Sequence, residues 1–354
     1  MSVPTDYKPA IIDALTVLEQ SDTARGERFA AAAYKKILGQ LKSIPTIHSF
    51  EDLTGVQGIG IKMRAKLAEI FETGKLASAE HAKASPFFKA YNELLAVYGV
   101  GPVKAKKFVE AGVSGVADLR ARAAANPSLL TAAQKLGLQF YEDGLERIPR
   151  AEIDEHRAVL EAAFRGEGLE MEIVGSYRRG AANSGDIDVL VTAGPGQSKK
   201  EMTAGFKRAV DGLEAGGYLR GILARGPTKT LAYSSVSGGR GRRLDLLLTD
   251  PSEYPYAIVY FTGSDQFNIA MRAWALEHGY TMNEHTMTPT SDAGPAPPMR
   301  AERDIFDFLG LTWVPPTERR DGTQIVAVTV ATPAKKEPSL IEKMRTKRAT
   351  ARKN

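Results

Sequence analysis

The sequence stretch Gly175-Ser-Tyr-Arg-Arg-Gly-Ala-Ala-Asn-Ser-Gly-Asp-Ile-Asp-Val189 decides how the chain around it is interpreted. It ends with two aspartates, Asp186 and Asp188, inside an apolar run. Residues two apart in a β-strand point to the same face, so these carboxylates should project side by side. Like charges this close repel each other unless a cation lies between them. A hard ion such as Mg²⁺ binds carboxylate oxygens and leaves positions open for phosphate, so the pattern predicts a metal site facing phosphate.

The residues before the aspartates favour a phosphate ligand. Gly175 and Ser176 follow a short apolar run and can offer backbone N–H groups at a turn. Arg178 and Arg179 add guanidinium groups, whose planar shape suits phosphate. We therefore expect this turn to bind phosphate beside the aspartates.

A third carboxylate is available further along the chain. Asp245 lies in the leucine-rich run 242–248, which predicts a buried strand. A single aspartate in such a strand is costly without a partner. The pair Asp186 and Asp188 alone would suit a turn or an ion pair equally well. The preceding Gly-Ser turn and the Asp245 strand together favour the metal site.

The composition is that of an ordinary soluble protein with more than one domain. The chain has 354 residues, of which 43% are hydrophobic and 25% charged. It contains no cysteine, which excludes disulfides and thiolate zinc sites and fits a reducing compartment. We expect neither a membrane helix nor a secretory signal. The net charge of +5 is concentrated in residues 83–150 and 321–354, a distribution typical of nucleic-acid binding.

The N-terminal part contains an internal repeat. Gly58 and Gly60 precede one helical run, and Gly99 and Gly101 precede another in the same frame. Such a Gly-x-Gly turn at a helix N-terminus can hold a DNA phosphate through backbone N–H groups. One copy would suit a simple helix–helix turn. Two copies favour a pair of helix-hairpin-helix DNA-binding motifs.

The helix that follows the first Gly-x-Gly turn carries a lysine that suggests a second chemistry. Lys66 lies on the helix after Gly60, beside the apolar residues Met63 and Ile70. Desolvation there, together with the charges of Lys62 and Arg64, should lower its pKa. A neutral amine can form a Schiff base with the C1′ aldehyde of an abasic sugar. The plainer alternative is a solvated or phosphate-contacting lysine.

Three motifs in order carry a family resemblance. They are Arg147-Ile-Pro-Arg150, the stretch 175–189 and Tyr260-Phe-Thr-Gly-Ser-Asp265. Over about residues 5 to 320 the chain resembles the family X DNA polymerases. The resemblance implies an α+β protein whose parts follow one another along the chain. These are a helical lyase-like domain in 1–82 with the first hairpin, a helical DNA-binding subdomain in 83–149 with the second, a nucleotidyltransferase palm with a mixed sheet in 150–251, and a small α/β nucleotide-binding subdomain in 252–320. Residues 321–354 lie beyond the family's usual end, and their composition predicts a basic, disordered tail.

The resemblance also implies an activity. It is template-directed DNA synthesis that fills short gaps in base excision repair, with two Mg²⁺ ions, or Mn²⁺ in their place, on Asp186, Asp188 and Asp245. Lys66 would supply a 5′-deoxyribose-phosphate lyase. The partners would be gapped or nicked DNA and deoxynucleoside triphosphates, for a monomer in the nucleus or in a viral or cytoplasmic DNA compartment. Two rivals are a template-independent nucleotidyltransferase on the same palm and a non-catalytic DNA end-binding module.

Further site residues follow from the resemblance in three sets. Those implied for the incoming nucleotide are Arg147, Ser176, Arg179, Ser184, Gly185, Tyr260, Phe261, Gly263, Asp265 and Asn268. Those implied for DNA are Tyr34, Lys35, Gly58, Gly60, Lys62, Gly99, Gly101, Thr228, Lys229 and Arg272. Those whose backbone carbonyls would hold Na⁺ or K⁺ at the hairpins are Thr54, Val56, Ile59, Leu95, Val97 and Val100.

The chain departs from the family in the lyase region. A His-Lys pair that helps the family bind the 5′-phosphate is replaced here by Phe29-Ala30, whereas Tyr34 and Lys35 remain. This change weakens the expected 5′-phosphate binding. The spacing of Phe29, Ala33, Ile37 and Leu41 predicts that Phe29 lies on the buried face of a helix.

Other local expectations concern strands and the C-terminus. The run 226–233 predicts a strand, the run 234–241 predicts a flexible loop, and the run 325–330 could add another strand. Residues from Pro333 onward are polar and basic, which is typical of disorder. Within them, residues 343–348 suit a nuclear import signal, a DNA-tethering arm or a solubilising tail.

Overall fold

The computed structural model of the chain describes residues 5–42, 44–194, 196–290 and 293–328. The chain divides into two units, and helices dominate the first of them. The first unit comprises Met1–Arg147, Glu214–Gly226 and Thr230–Leu244. The second comprises Ile148–Leu213, Pro227–Lys229 and Asp245–Asn354. Helices with a mixed sheet confirm the predicted α+β class.

The N-terminal elements up to residue 147 are helical. They are α1 Lys8–Arg25, α2 Arg28–Leu41, a 3₁₀ turn Glu51–Leu53, α3 Ile61–Thr73, α4 Ala77–Ala84, α5 Pro86–Leu95, α6 Pro102–Glu110, α7 Val116–Ala125, α8 Ala132–Gln139 and α9 Tyr141–Gly144. Their apolar side chains form two clusters, one around Leu15 and Leu67 and one around Tyr91 and Phe108. The predicted domain boundaries remain predictions.

The buried face of α2 differs from the predicted one. Ile37 and Leu41 are buried as expected, but Phe29 is 96% exposed. Residues spaced four apart shift by about 40° around the helix axis at each step. A series of such residues therefore moves off the buried face of the helix within a few turns. The buried face is instead continued toward the N-terminus by Tyr34 and Ala31. Phe29 therefore lies on the solvent side of α2.

The remaining elements alternate between helices and strands. They are β1 Ile148–Pro149, α10 Arg150–Arg165, β2 Leu169–Ile173, α11 Gly175–Arg178, β3 Asn183–Ser184, β4 Ile187–Ala193, α12 Lys199–Ala215, β5 Leu219–Arg225, β6 Lys229–Ser234, β7 Arg242–Leu248, α13 Tyr254–Thr262, α14 Asp265–Glu277, β8 Tyr280–Met282, β9 Met287–Pro289, α15 Glu302–Phe308, and 3₁₀ turns Pro316–Glu318 and Gly322–Gln324.

The main sheet has the strand order β2-β4-β7-β6-β5. Strand β2 pairs antiparallel with β4, with Ile173 opposite Val189, and β5 pairs antiparallel with β6. Strand β7 confirms the predicted leucine-rich strand, with Asp245 half-buried between buried leucines. The predicted strand over 226–233 is wrong at its start, because β6 begins only at Lys229. Pro227 has no N–H to give to a strand ladder.

The apolar core of the second unit positions the helices that follow the sheet. Helix α13 packs on the sheet, where Ala257 and Ile258 meet Leu190. Helices α14 and α15 close a separate cluster that includes Phe267 and Phe306. These contacts hold the C-terminal end of α13 and the start of α14 in a fixed position.

The C-terminal expectations are tested only in part. The described residues of the run 325–330 form one isolated bridge, between Leu311 and Ala327, rather than a strand. The last two residues of that run, the predicted disorder and the basic run 343–348 lie outside the described residues. Within the described ranges, every helix is too short or too polar to cross a membrane.

Candidate functional site

Asp186 and Asp188 lie where β4 begins. Asp188 is the second residue of β4 and half-buried, while its neighbours Ile187 and Val189 are fully buried on the other face. The prediction that both aspartates lie within the strand is wrong by one residue, because Asp186 occupies the bend before β4. The bend arises because only Gly185 and Asp186 connect β3 to β4.

The glycine turn and the second aspartate are in close contact. Gly175 has a φ of +62°, a conformation that L side chains rarely adopt. A β-carbon at this position would lie 2.9 Å from Oδ2 of Asp188. The backbone adds a second link, because the Val174 N–H donates to the Asp188 carbonyl over 2.9 Å. The absence of a side chain at residue 175 therefore leaves space for the Asp188 carboxylate.

The third carboxylate lies on the neighbouring strand. Asp245 is half-buried in β7, which follows β4 in the sheet order. All three aspartates have interaction partners in this structure. Within the part of the chain that the structure describes, no three acidic, His or Cys side chains converge closely enough to hold a metal ion. The oxygen donors of Asp186, Asp188 and Asp245 are nevertheless the type that Mg²⁺ prefers, and their strands are neighbours.

Two residues predicted to hold the triphosphate are in direct contact. The Ser176 hydroxyl, in the single turn α11, donates to the Ser184 hydroxyl over 2.8 Å. Ser184 is buried, whereas Ser176 is half-buried and the adjoining Gly185 is exposed. The contact brings the turn beside β3, close to the start of β4.

Arg179 connects the turn to the end of α13. Its Nη1 donates to the Thr262 carbonyl over 2.6 Å and lies 3.2 Å from where a Gly263 β-carbon would be. Burial lowers the pKa of Arg179, and the charge of Asp265 opposes that shift. The structure thus brings together Arg179, Gly263 and Asp265, all implied for the nucleotide.

Arg178 does not face a phosphate position, contrary to the sequence expectation. Its Nη1 donates to the Thr262 hydroxyl over 2.8 Å, and its Nη2 donates to Glu302 over 2.7 Å. Glu302 also accepts from Arg319, whose side chain is fully buried, over 2.9 Å. Arg178 therefore belongs to a buried ion-pair network. Sequence reasoning missed Glu302 and Arg319 because nothing in their local pattern marks them as partners.

The aromatic residues implied for the nucleotide lie at the end of α13. The rings of Tyr260 and Phe261 meet edge to face with centroids 5.0 Å apart, and both residues are half-buried. The Asn268 amide donates to the Tyr260 carbonyl over 2.7 Å. The Arg272 guanidinium lies 4.9 Å from the centre of the Tyr260 ring and 3.4 Å from a Glu284 oxygen. Asn268 and Arg272 are thus both oriented around Tyr260.

Three other implied residues are exposed. Arg147 ends the stretch of the first unit before β1, while Thr228 and Lys229 form a short piece of the second unit. Arg147 has an interaction partner in this structure. The Thr228 carbonyl accepts the Leu248 N–H over 2.7 Å, which holds this piece against the end of β7. Their contacts with a nucleotide or DNA remain predictions.

The internal repeat has the same backbone geometry twice. Gly58 and Gly99 have φ values of +98° and +79°. Gly60 and Gly101 cap the following helices with φ values of −81° and −82°. Each turn therefore places a helix N-terminus, with its unpaired N–H groups, at the surface. The cation-binding role of the hairpin carbonyls remains a prediction.

A glutamine on another helix hydrogen-bonds the backbone of each hairpin. Sequence reasoning missed both glutamines. Gln40 on α2 accepts the Gln57 N–H over 2.8 Å and donates to the Gln57 carbonyl over 3.0 Å. Gln134 on α8 donates to the Gly99 carbonyl over 2.6 Å and accepts from Lys104 over 2.5 Å. Gln134 is only 5% exposed, so the second hairpin is fixed to a buried side chain.

The candidate lyase lysine lies in a half-buried site. Nζ of Lys66 is 3.4 Å from the Ser78 hydroxyl on α4. Burial raises the pKa of the Asp22 carboxyl, and the nearby charges of Arg25 and Lys66 partly oppose this. Burial and the charge of Asp22 also raise the pKa of Tyr34. The sequence identified Tyr34 as a neighbour of this site but missed Asp22 and Ser78.

The basic neighbours of Lys66 do not surround it as expected. The Arg64 guanidinium lies over the Phe50 ring, 5.1 Å from its centre, and Lys62 and Lys35 are exposed. Lys107, the repeat counterpart of Lys66, is exposed, which confirms that it is the more solvated of the two.

Comparison with protein families assigns three consecutive segments. Residues 92–144 match the fingers domain of DNA polymerase lambda. Residues 147–251 match the DNA polymerase beta palm, and residues 257–320 match the DNA polymerase beta thumb. The palm match contains all three aspartates of the candidate site.

Curated relatives match over most of the chain. DNA polymerase lambda of Rattus norvegicus is 32% identical over 336 residues, which cover 89% of this chain and 56% of the relative. DNA polymerase lambda of Arabidopsis thaliana is 31% identical over 341 residues, which cover 89% of this chain and 63% of the relative. The chain thus spans less than two thirds of the length of these relatives.

Proposed function

The chain belongs to the family X DNA polymerases, and on this basis we propose that it is a template-directed DNA polymerase that fills short gaps in base excision repair. One observation carries the proposal. The Gly175 turn lies against the Asp188 carboxylate, with the Ser176–Ser184 contact beside it. A phosphate-binding turn next to a metal-binding acid is the arrangement that nucleotidyl transfer requires.

Family X polymerases use divalent metal ions. Asp186, Asp188 and Asp245 would hold them here, with Mg²⁺ preferred and Mn²⁺ as a substitute. When bound, such ions lower the pKa of the primer 3′-hydroxyl and stabilise the charge that develops at the α-phosphate. The three carboxylates lie beside or within the neighbouring strands β4 and β7. Metal binding would therefore require only that their side chains turn toward one another, without a movement of the strands.

The protein's own groups would bind and orient the nucleotide. Ser176, Ser184 and the N–H groups of α11 would receive the triphosphate. Arg179 would add positive charge, and Gly263 would keep the space beside it open. The Tyr260 and Phe261 rings would pack against the sugar, while Asn268 and Asp265 would face the base. Arg147 would lie near the triphosphate, and Arg272 would contact the template strand.

DNA contacts would be made through phosphates. The hairpin glycines would present backbone N–H groups to the DNA backbone, with Na⁺ or K⁺ held by the hairpin carbonyls. Lys62, Lys35, Tyr34, Thr228 and Lys229 would add side-chain contacts. We place the protein as a monomer in the nucleus, acting on gapped or nicked DNA.

The second proposed activity is a 5′-deoxyribose-phosphate lyase. The unprotonated amine of Lys66 would add to the C1′ aldehyde, and loss of water would leave a carbon–nitrogen double bond. The half-buried position beside Ser78 supports this role. The exposed Phe29 replaces a phosphate-binding side chain of the family, so we expect a modest activity.

Primer extension on gapped DNA tests the polymerase proposal. The substrate carries a one-nucleotide gap, either with a template base or with an abasic position opposite the gap. We expect incorporation of the complementary nucleotide only where a template base is present. Equal incorporation without the base would indicate the template-independent transferase. Tight binding to the gap without any incorporation would indicate the end-binding module.

A further inference from the structure

The turn that carries Ser176 and Arg179 has a buried tyrosine at its centre. Tyr177 is only 4% exposed and lies in α11 between these two residues. Its hydroxyl donates to Oδ1 of Asp154 over 2.5 Å. A short hydrogen bond from a hydroxyl to a carboxylate is among the stronger single contacts in a protein. This hydrogen bond fastens the turn to α10.

Two arginines of α10 complete the contact. The Arg150 guanidinium lies 4.0 Å from the centre of the Tyr177 ring, and that of Arg157 lies 5.6 Å from it. Nη1 of Arg150 also donates to the Tyr177 carbonyl over 2.8 Å. Arg150, Asp154 and Arg157 are four and three residues apart, so they form one row on α10. This row contacts both the ring and the backbone of the turn.

The tyrosine hydroxyl remains a hydrogen-bond donor at neutral pH. Burial, with a smaller contribution from the Asp154 hydrogen bond, raises the pKa of Tyr177. Asp154 lies between Arg150 and Arg157 in the row on α10, so two positive charges are close to its carboxylate. Tyr177→Phe would keep the ring beside the two arginines and would lose only the hydroxyl contact.

We propose that Tyr177 and Asp154 form a positioning pair that sets the nucleotide affinity of the site by fixing the α11 turn on α10. The inference rests on the proposed polymerase function, since the turn is taken to hold the triphosphate. Tyr177 is buried, and neither residue of the pair belongs to the sets proposed to contact the nucleotide or the DNA. Loosening it should therefore weaken nucleotide binding while leaving DNA affinity unchanged and the maximal rate nearly so.

The test compares Tyr177→Phe with the parent in the full chain on gapped DNA. We expect the KM for the complementary nucleotide to rise about three- to tenfold, the range that the net contribution of one ordinary hydrogen bond implies, with kcat changed less than about twofold. Nucleotide binding to the complex with a dideoxy-terminated primer should weaken by the same factor. A parent that fails to extend primers would overturn the proposed function, whereas an unchanged KM in Tyr177→Phe would overturn only the positioning role.

Four further variants separate positioning from general destabilisation. Asp154→Ala should reproduce the KM change, and the double variant should be no worse than either single one, because both remove the same contact. Asp154→Asn keeps an acceptor oxygen and should restore part of the affinity. Tyr280→Phe removes a hydroxyl that donates to the Gly294 carbonyl over 3.0 Å elsewhere in the second unit, and it should leave KM unchanged. Additive effects of Tyr177→Phe and Asp154→Ala would contradict the pairing.

Discussion

Oδ2 of Asp188 lies 2.9 Å from the point where a β-carbon on Gly175 would stand. The two residues come from different elements, the single turn α11 and the strand β4. Two features therefore require glycine at residue 175. Its φ of +62° disfavours any L side chain, and a β-carbon would collide with the Asp188 carboxylate. The turn proposed to bind phosphate and the aspartate proposed to bind metal are thus coupled through a position that has no side chain.

The variant Gly175→Ala should damage both stability and activity. The left-handed conformation should cost about 1–3 kcal/mol of unfolding free energy. The new methyl group should also displace the Asp188 carboxylate, so we expect primer extension to fall at least about tenfold. Gly310→Ala is a matched control, because Gly310 has a φ of +65° and nothing within 4 Å of its β-carbon position. Urea unfolding measures the stability of the two variants, and extension rates measure their activity. Equal losses of activity in both variants would contradict the coupling.

The variant Asp245→Ala should abolish nucleotide incorporation, with a fall of at least about a thousandfold. Affinity for gapped DNA should stay within a few fold, because phosphate contacts elsewhere position the DNA. Extension rates and DNA titrations measure the two effects. Asp307→Ala removes an exposed carboxylate, 3.9 Å from Arg303, and should extend primers normally. Normal extension by Asp245→Ala would mean that this carboxylate holds no catalytic metal.

The variant Lys66→Ala should lose most of the covalent protein–DNA adduct that borohydride traps on a 5′-deoxyribose-phosphate end, while it still extends primers. The reason is that a Schiff base needs an amine at the sugar, and Lys66 is the half-buried candidate. Lys107→Ala should retain the adduct, because Lys107 occupies the same repeat position but is exposed. An undiminished adduct in Lys66→Ala would assign the chemistry to another amine.

The variant Gln134→Ala should weaken binding to gapped DNA about three- to tenfold, because the Gly99 carbonyl loses the contact that orients the second hairpin. Gln40→Ala makes the equivalent change at the first hairpin, where Gln40 bonds both the N–H and the carbonyl of Gln57. Fluorescence anisotropy with labelled DNA measures both. Unchanged affinity in both variants would show that the hairpins keep their geometry without the glutamines, or that they do not contact DNA.

The variant Glu302→Gln should lower the unfolding free energy by about 3–5 kcal/mol, because it leaves two guanidinium groups without their shared carboxylate. The side chain of Arg319 is fully buried, and that of Arg178 is 19% exposed. Glu318→Gln makes the same chemical change at an exposed position and should be neutral. Similar urea midpoints for the two variants would show that the network contributes little to stability.

The sequence predicted best what short-range patterns determine. The strand around Asp245 follows from the sequence pattern alone, and the structure confirms it. The sequence also predicted a turn at Gly175 and a strand that carries Asp188, but not their contact, and the strand begins one residue later than the pattern indicated.

Two failures have physical reasons that local sequence does not contain. Phe29 lies outside the buried arc because an i, i+4 row rotates around a helix, and the position of that arc depends on which neighbours pack against it. Arg178 and Arg179 are adjacent and chemically identical, yet only Arg178 binds Glu302, which lies 124 residues further along the chain. Such a separation in sequence carries no periodic signal.

The place of Arg319 in the sequence has a consequence for biosynthesis. Its guanidinium packs among the rings of Phe267, Phe306 and Trp313, and its partner is Glu302. The ribosome adds all four of these residues before Arg319, so a nascent chain that ends before it exposes an unfilled slot between three aromatic rings. The second unit can complete its core only after Arg319 has left the exit tunnel. Until then the three rings and Glu302 lack the guanidinium that packs among them in the folded protein.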